Sequence, residues 1–211
     1  MNLRFFRLAA LCLLQATVLF GPVPTARAAV ADRPLVLVAT KVLDQGAFRQ
    51  TVVLAVPDRD GTHFGFVLNM PTEASLAELF PQDQAAKRTS ARVHIGGPFL
   101  TDTVFALVRG QAAPGPGTIE VTPELFVALE ASAVDRVIAD RPDDAHFFAG
   151  MVAWRPGELN AELRVGAWEV IDPEPDLVLG SDSSSMWGRL NALAHALRAS
   201  WTYSHSWPIA D

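Results

Sequence analysis

His146–Ile171, HFFAGMVAWRPGELNAELRVGAWEVI, decides how this chain is read. Phe147–Trp154 is an apolar run long enough for one buried strand and short for a helix. Arg155-Pro156-Gly157 breaks it, and Pro156 suits the first turn of a helix, where its missing N–H costs nothing. Glu158–Arg164 continues that helix, with Leu159 and Leu163 on one face and Glu158 and Glu162 on another. Gly166 suits the helix end, and Trp168–Ile171 reads as the next strand. The block is strand–helix–strand around an apolar spine, and no set of residues in it spells out a reaction.

Working outward, Leu35–Ala39 is apolar throughout, as a central strand is. Thr51–Val56 and Thr62–Asn69 are expected to pair through the turn Asp58-Arg59-Asp60-Gly61. Ser75-x-x-Glu78 has capping-box spacing and opens a short helix ended by Pro81. Gln82–Arg92 is polar and reads as a mobile loop, and Arg92–Ile95 and Thr103–Val108 read as strands flanking Gly96-Gly97-Pro98. After the loop Gln111–Gly117, Thr122-Pro123-Glu124 carries a cap, a first-turn proline and an acid, which predicts a helix to about Ala131. Leu177–Leu179 is expected as a short strand. Ser184 or Ser185 caps a last helix through about Ala199, with Trp187, Leu190, Leu193/Ala194 and Leu197 as its apolar face. The aromatic tail Trp201–Asp211 is left open between packing back and staying loose.

The N-terminus reads as a leader. Arg4 and Arg7 precede the apolar Leu8–Phe20, and Ala26-Arg27-Ala28 is a small-x-small cleavage site. The apolar core is shorter than the span of about 20 residues a membrane helix needs. A signal peptide over residues 1–28, cleaved after Ala28, is expected, leaving one domain over 29–211 with no transmembrane segment, periplasmic or secreted. Removing a segment with three arginines and no acid takes the formal charge from −6 to −9. An acidic surface repels phosphate backbones and argues against nucleic acid as a partner. The one cysteine, Cys12, lies in the leader, so a mature chain has no disulfide or thiolate site.

Four ordered motifs carry a family resemblance. Gly150-x-x-x-Trp154-x-x-Gly157-x-Leu159-x-x-Glu162 with Trp168 resembles the signature of the YqgE/AlgH family. Phe48-x-x-Thr51-Val52-Val53 resembles its first strand, Gly65–Pro71 its G-h-h-h-N-x-P hairpin, and Gly96-Gly97-Pro98 with Phe105 its GGP segment. The match runs from about Leu35 to Trp187. Departures stand at Gln45-Gly46, Val152-Ala153, Glu158 and Val108, and no role carries over to those positions. The resemblance implies an α/β or α+β fold with a mixed, strongly bent, partly barrel-like sheet surrounded by helices. It brings no established activity; some members are labelled transcriptional regulators.

Individual sites are weighed against plainer accounts. Histidines 63, 94, 146 and 195 fall on different elements without metal-ligand spacing, and Asp143-Asp144-x-His146 reads as a solvated loop, so no metal and no cofactor is expected. Ser183–Ser185 lacks the G-x-S-x-G elbow and suits capping, with small-anion binding at the helix start as an alternative. Glu158 and Glu162 are spaced as an acid–base pair or as two exposed acids near a helix start. Asn69 reads as a strand-end cap or a pocket residue. A binding groove is expected where Asn69, the Gly96–Gly97–Pro98 turn, Trp154, Arg155 and Glu162 meet. No catalytic set is assigned. The leading expectation is a non-enzymatic exported domain that binds a protein, peptide or small ligand. The alternatives are a transcriptional regulator and a hydrolase using a serine or a carboxylate pair.

Overall fold

The computed structural model describes residues 32–180 and 182–205, the last seven of these by backbone alone. The leader reading of Met1–Ala28, including Cys12, and the end of the tail, 206–211, lie outside the described residues.

The strands are β1 (Leu35–Ala39), β2 (Val52–Pro57), β3 (His63–Val67), β4 (Pro71–Ser75), β5 (Arg92–Ile95), β6 (Phe99–Arg109), β7 (Thr118–Thr122), β8 (Leu125–Ala128), β9 (Ala145–Trp154) and β10 (Trp168–Ile171). They form one sheet in the order β10-β1-β2-β3-β9-β6-β8-β7, with β4 paired to β5 and β5 to β9. The helices are α1 (Leu76–Leu79), α2 (Ala131–Asp140), α3 (Glu158–Arg164), α4 (Pro175–Val178) and α5 (Ser183–His205). The pairings are antiparallel except β5 with β9, which is parallel, so the sheet is mixed.

β9 organises the sheet. Its first half lies between β5, paired at Phe147–Ala149, and β6; its last three residues pair instead with β3. The change of neighbour falls at Gly150, whose φ is +77°, and there the Gly96-Gly97 segment crosses β9. Gly96 donates its N–H to the Ala149 carbonyl at 2.8 Å and its own carbonyl accepts from the Val67 N–H at 2.9 Å. A Cβ on Gly96 would stand 2.1 Å from the Gly150 oxygen, and one on Gly97 would stand 2.2 Å from the Met151 carbonyl carbon. The glycines are where two backbones touch, as expected of glycine at a close approach.

Three apolar clusters hold the layers. α5 lays Met186, Leu190 and Ala194 against Val36, Val38, Leu54, Phe66 and Phe148. The other face of the same strands, with Leu35, Leu37, Val53 and Val67, is covered by Leu159 and Leu163 of α3 and by Trp154 and Trp168. α2 packs Val134, Val137 and Ile138 on Val108, Phe126 and Phe147. All five residues of β1 are buried, which is why that strand reads as an unbroken apolar run.

Five expectations need correction. Leu125–Ala128 is a strand, not a helix: it pairs with Ala106–Arg109, and this ladder overrides a local Thr-Pro-Glu helix signal. The helix in that part of the chain is α2, which presents Ala133, Val134, Val137 and Ile138 to the core. Leu177–Leu179 belongs to the turn of helix opened by Pro175. Gln82–Arg92 holds a 3-10 turn at Ala86–Arg88 with Ala86 buried, and Pro71–Ser75 adds a strand beside β5. On α5 the buried stripe is Met186–Leu190–Ala194, while Leu193 and Leu197 are 39% and 51% exposed. The helix continues past Ala199 to His205, so the tail begins as helix. The Ser75/Glu78 capping box forms as expected. The Asp58–Gly61 turn also forms, with positive φ at both Asp60 and Gly61.

Candidate functional site

The groove expected from the motif residues does not assemble. Trp154 pairs with His63 at the start of β3, whereas Asn69 lies six residues on, beyond its other end, roughly 20 Å along a strand. Gly96 and Asn69 do sit close: Val67 bonds Gly96, and Ile95 donates to the Met70 carbonyl. Arg155 is exposed in the turn before α3, and Pro98 is exposed beside the crossing.

Several motif residues have full structural employment. One oxygen of Glu162 accepts from the indole N–H of Trp154 at 3.0 Å and from that of Trp168 at 2.7 Å. Both indoles are at least 95% buried, so a single carboxylate on α3 satisfies two buried donors and fixes the helix on the sheet. Glu158 turns the other way and accepts from the Arg155 N–H at 2.9 Å. The two acids have separate tasks and no shared site. Asn69 accepts from the Val52 N–H at 2.8 Å and donates to the Gln50 carbonyl at 2.9 Å, tying the exit of β3 to the entry of β2.

A different pair of side chains keeps one nitrogen each without a partner. In the parallel pairing of β5 with β9, Val93 stands opposite Phe147 and His94 opposite Phe148. Side chains alternate along a strand, so His146 and Phe148 share a face, and His94 reaches that face between them. Its ring centre is 5.1 Å from that of His146, with the planes 17° apart, and 5.5 Å from that of Phe148. Nδ1 of each imidazole is buried without a hydrogen-bond partner. Burial pushes His146 down to about 4, helped by the facing His94, since both rings cannot easily carry charge. Burial lowers His94 as well, opposed by a hydrogen bond from its ring to the Phe147 carbonyl.

These rings line an open cleft of about 590 Å³ whose far wall is the start of α5, with Asp182, Ser183 and Ser184, and whose rim carries Arg92 and Asp143. Asp182 caps the helix: it accepts from the Ser185 N–H at 3.2 Å and from the Ser184 hydroxyl at 2.8 Å, and from the Ser185 hydroxyl. Those bonds, the Ser185 hydroxyl foremost, hold its carboxyl at about 2. Ser183 is 9% exposed, and among the described residues its hydroxyl has no partner. A second cleft, about 600 Å³, meets the first along Ser183 and Ser184 and is lined by Arg49, Asn69, Trp187 and Arg189. Among the described residues no group of three or more His, Cys, Asp or Glu converges as metal ligands.

Sequence reasoning considered Ser183–Ser185 and Asp143–His146 separately. The parallel β5–β9 register and the return of α5 bring them together, and neither leaves a local pattern. His63 lies on β3, paired with Trp154, and His195 is exposed on α5.

A curled, mixed single sheet split at a glycine crossing, with one helix pinned on its outer face by a carboxylate between two indoles, defines the class of fold. The AlgH-like family model matches residues 36–196, and the chain belongs to that family. A UPF0301 protein of Chlorobaculum tepidum is 30% identical over 159 residues, covering 74% of this chain and 82% of that protein. One of Pelodictyon phaeoclathratiforme is 27% identical over 157 residues, 72% of this chain and 81% of its own length. The solution structure of the AlgH protein from Pseudomonas aeruginosa superposes with a TM-score of 0.63 at 23% identity, over 84% of this chain and 95% of that one. The crystal structure of protein DIP2367 from Corynebacterium diphtheriae gives 0.62 at 22% identity, over 75% and 85%. These likenesses bear out the bent mixed sheet with surrounding helices. The family is one of uncharacterised proteins.

Proposed function

We propose that the chain is an exported, non-catalytic binding domain whose ligand, a small molecule or the end of a peptide, seats in the cleft between the His94–His146 pair and the start of α5. The observation that carries this reading is an open cleft of about 590 Å³ lined together by the stacked His94 and His146 rings and by Ser183 at the start of α5. Export rests on the ordered basic, apolar and cleavage segments within Met1–Ala28. The formal charge of −6, or −9 after cleavage, weighs against a nucleic-acid partner. Among the described residues no helix is long and apolar enough to cross a membrane.

The experiment has two parts. N-terminal sequencing of the protein recovered from cells is expected to begin at Ala29; a start at Met1 removes the export reading. A fragment screen by amide chemical shift is expected to perturb Ser183–Ser185, His94 and His146 together, and hits confined to other surfaces would remove the cleft reading.

A second reading, hydrolysis by Ser183, is favoured by one observation: that hydroxyl and two neutral imidazoles face one cleft. It predicts turnover of simple esters that disappears in Ser183→Ala.

A further inference from the structure

The second cleft has the opposite electrostatic character from the first. It encloses about 600 Å³ between the turn ahead of β2 and the start of α5, and its described lining carries Arg49 and Arg189 and no acid. In a chain of formal charge −6 this is a local reversal of sign. Among the described residues neither guanidinium is in an ion pair, whereas those of Arg33, Arg92, Arg109 and Arg198 are. The acid that Arg189 does face is Asp182. That carboxylate lines the first cleft, and its oxygens already accept from Ser184 and Ser185.

Both arginines are delivered by anchored backbone. Arg49 precedes Gln50, whose φ is +55°. Asn69 clamps that turn by donating to the Gln50 carbonyl and accepting from the Val52 N–H. Arg189 stands on α5 between Met186 and Leu190, which are buried in the core. Ser183 adds an inner donor: it is 9% exposed, lines the cleft, and its hydroxyl has no partner among the described residues.

Gly188 supplies an observation independent of charge. It lines the same cleft, and a Cβ built on it would meet nothing within 4 Å. Packing therefore does not require glycine there, and glycine costs a helix about 1 kcal/mol relative to alanine. The space a side chain would fill stays open beside the two guanidiniums.

We propose that this second cleft binds a phosphate monoester, its phosphoryl oxygens gripped by Arg49 and Arg189 and reached by the Ser183 hydroxyl. A guanidinium fork matches phosphoryl oxygens two at a time, and two forks offset a dianion. A carboxylate has one charge and two oxygens, so it satisfies one fork and leaves the other idle. The half-buried Trp187 donates its indole N–H to the Ala39 carbonyl and offers the rest of the ester an apolar wall. The site stands apart from the histidine cleft and does not depend on it.

The test titrates the 15N-labelled full chain, as cells process it, with phenyl phosphate, benzoate and phenol at pH 7.5. Phenyl phosphate is expected to move the Arg49 and Arg189 Nε–H signals, the Trp187 indole N–H and the Ser183–Gly188 amides. It should bind about tenfold or more tighter than benzoate, with phenol inert, because the second fork contributes only to the phosphoryl group. Added salt should weaken binding, as screening requires. Gly188→Leu fills the open space with a better helix former, so stability should hold or rise while binding falls about tenfold or more. Arg49→Gln and Arg189→Gln should each weaken binding as much, and Arg164→Gln, on α3 across the sheet, should leave it unchanged. Benzoate binding as tightly as phenyl phosphate, full binding by Gly188→Leu, or an equal loss in Arg164→Gln overturns the proposal. Phenyl phosphate shifts confined to the His94 and His146 rings overturn it too, while supporting the first cleft.

Discussion

Two polar arrangements sit on opposite faces of the same sheet, and they differ in how their hydrogen bonds close. Beneath α3, the indoles of Trp154 and Trp168 converge on one oxygen of Glu162, so both buried indole donors have an acceptor. Beside the start of α5, His94 and His146 stack with their Nδ1 atoms unmatched. His94 is buried nearly as deeply as the indoles and His146 less so, and the satisfaction differs. A closed arrangement adds stability and offers a ligand nothing, whereas an open one lowers stability and keeps bonding capacity in reserve. On that ground the tryptophan motif belongs to the scaffold, and the histidine cleft is the proposed site.

The largest effect should come from the scaffold itself. Gly97→Ala places a Cβ within 2.2–2.5 Å of three backbone atoms of Met151 and Val152. Backbone cannot yield there, so a loss on the order of 3–5 kcal/mol is expected by chemical denaturation. A loss under about 1 kcal/mol would mean that the crossing is not what holds the two halves of the sheet together.

A smaller effect should appear with pH, on the functional side. The folded pKa of His146 lies at about 4 against an ordinary 6.5. The unfolded chain therefore takes up a proton before the native one does, and native stability falls as pH drops from about 6.5 toward 4. At about 1.4 kcal/mol per pH unit the loss approaches about 3 kcal/mol. His94 adds in the same direction. Glu78 and Asp182, whose carboxyls are held low by Ser75 and Ser185, contribute stability that disappears only at lower pH. His146→Phe should flatten the stability profile between pH 6.5 and 4.5; an unchanged slope would place the acid sensitivity elsewhere.

The smallest effect is expected at the cleft's rim. Glu73→Gln breaks the exposed pair with Arg92, and such pairs contribute about 0–1 kcal/mol. Stability should hardly move in chemical denaturation as Arg92 is released. A large loss of stability would show the rim to be scaffold.

Much of the scaffold was legible because its signals are local. Phe147–Trp154, Glu158–Arg164 and Trp168–Ile171 fold as their periodicities indicate, and the Ser75/Glu78 box caps as spaced. Thr122-Pro123-Glu124 misleads for the opposite reason. Its helix signal is local, but Leu125–Ala128 is decided by pairing to β6 some twenty residues away. The site was less legible. Trp154 and Asn69 each sit in a family motif but lie at opposite ends of β3. His94 and His146, 52 positions apart in the chain, meet only through a parallel register that no spacing announces. Glu162 reads as a site residue from the sequence because it sits in the motif, and its partners show the structural reason it is there.

The contrast between closed and open hydrogen bonding is tested most directly by unfolding Glu162→Ala and His146→Phe side by side in denaturant at pH 7. Glu162→Ala orphans two buried indole donors at about 1–3 kcal/mol each, so a combined loss of about 2–6 kcal/mol is expected. His146→Phe removes an unmatched nitrogen and should match or exceed the parent's stability. If Glu162→Ala unfolds like the parent while His146→Phe collapses, the assignment of scaffold and site is reversed.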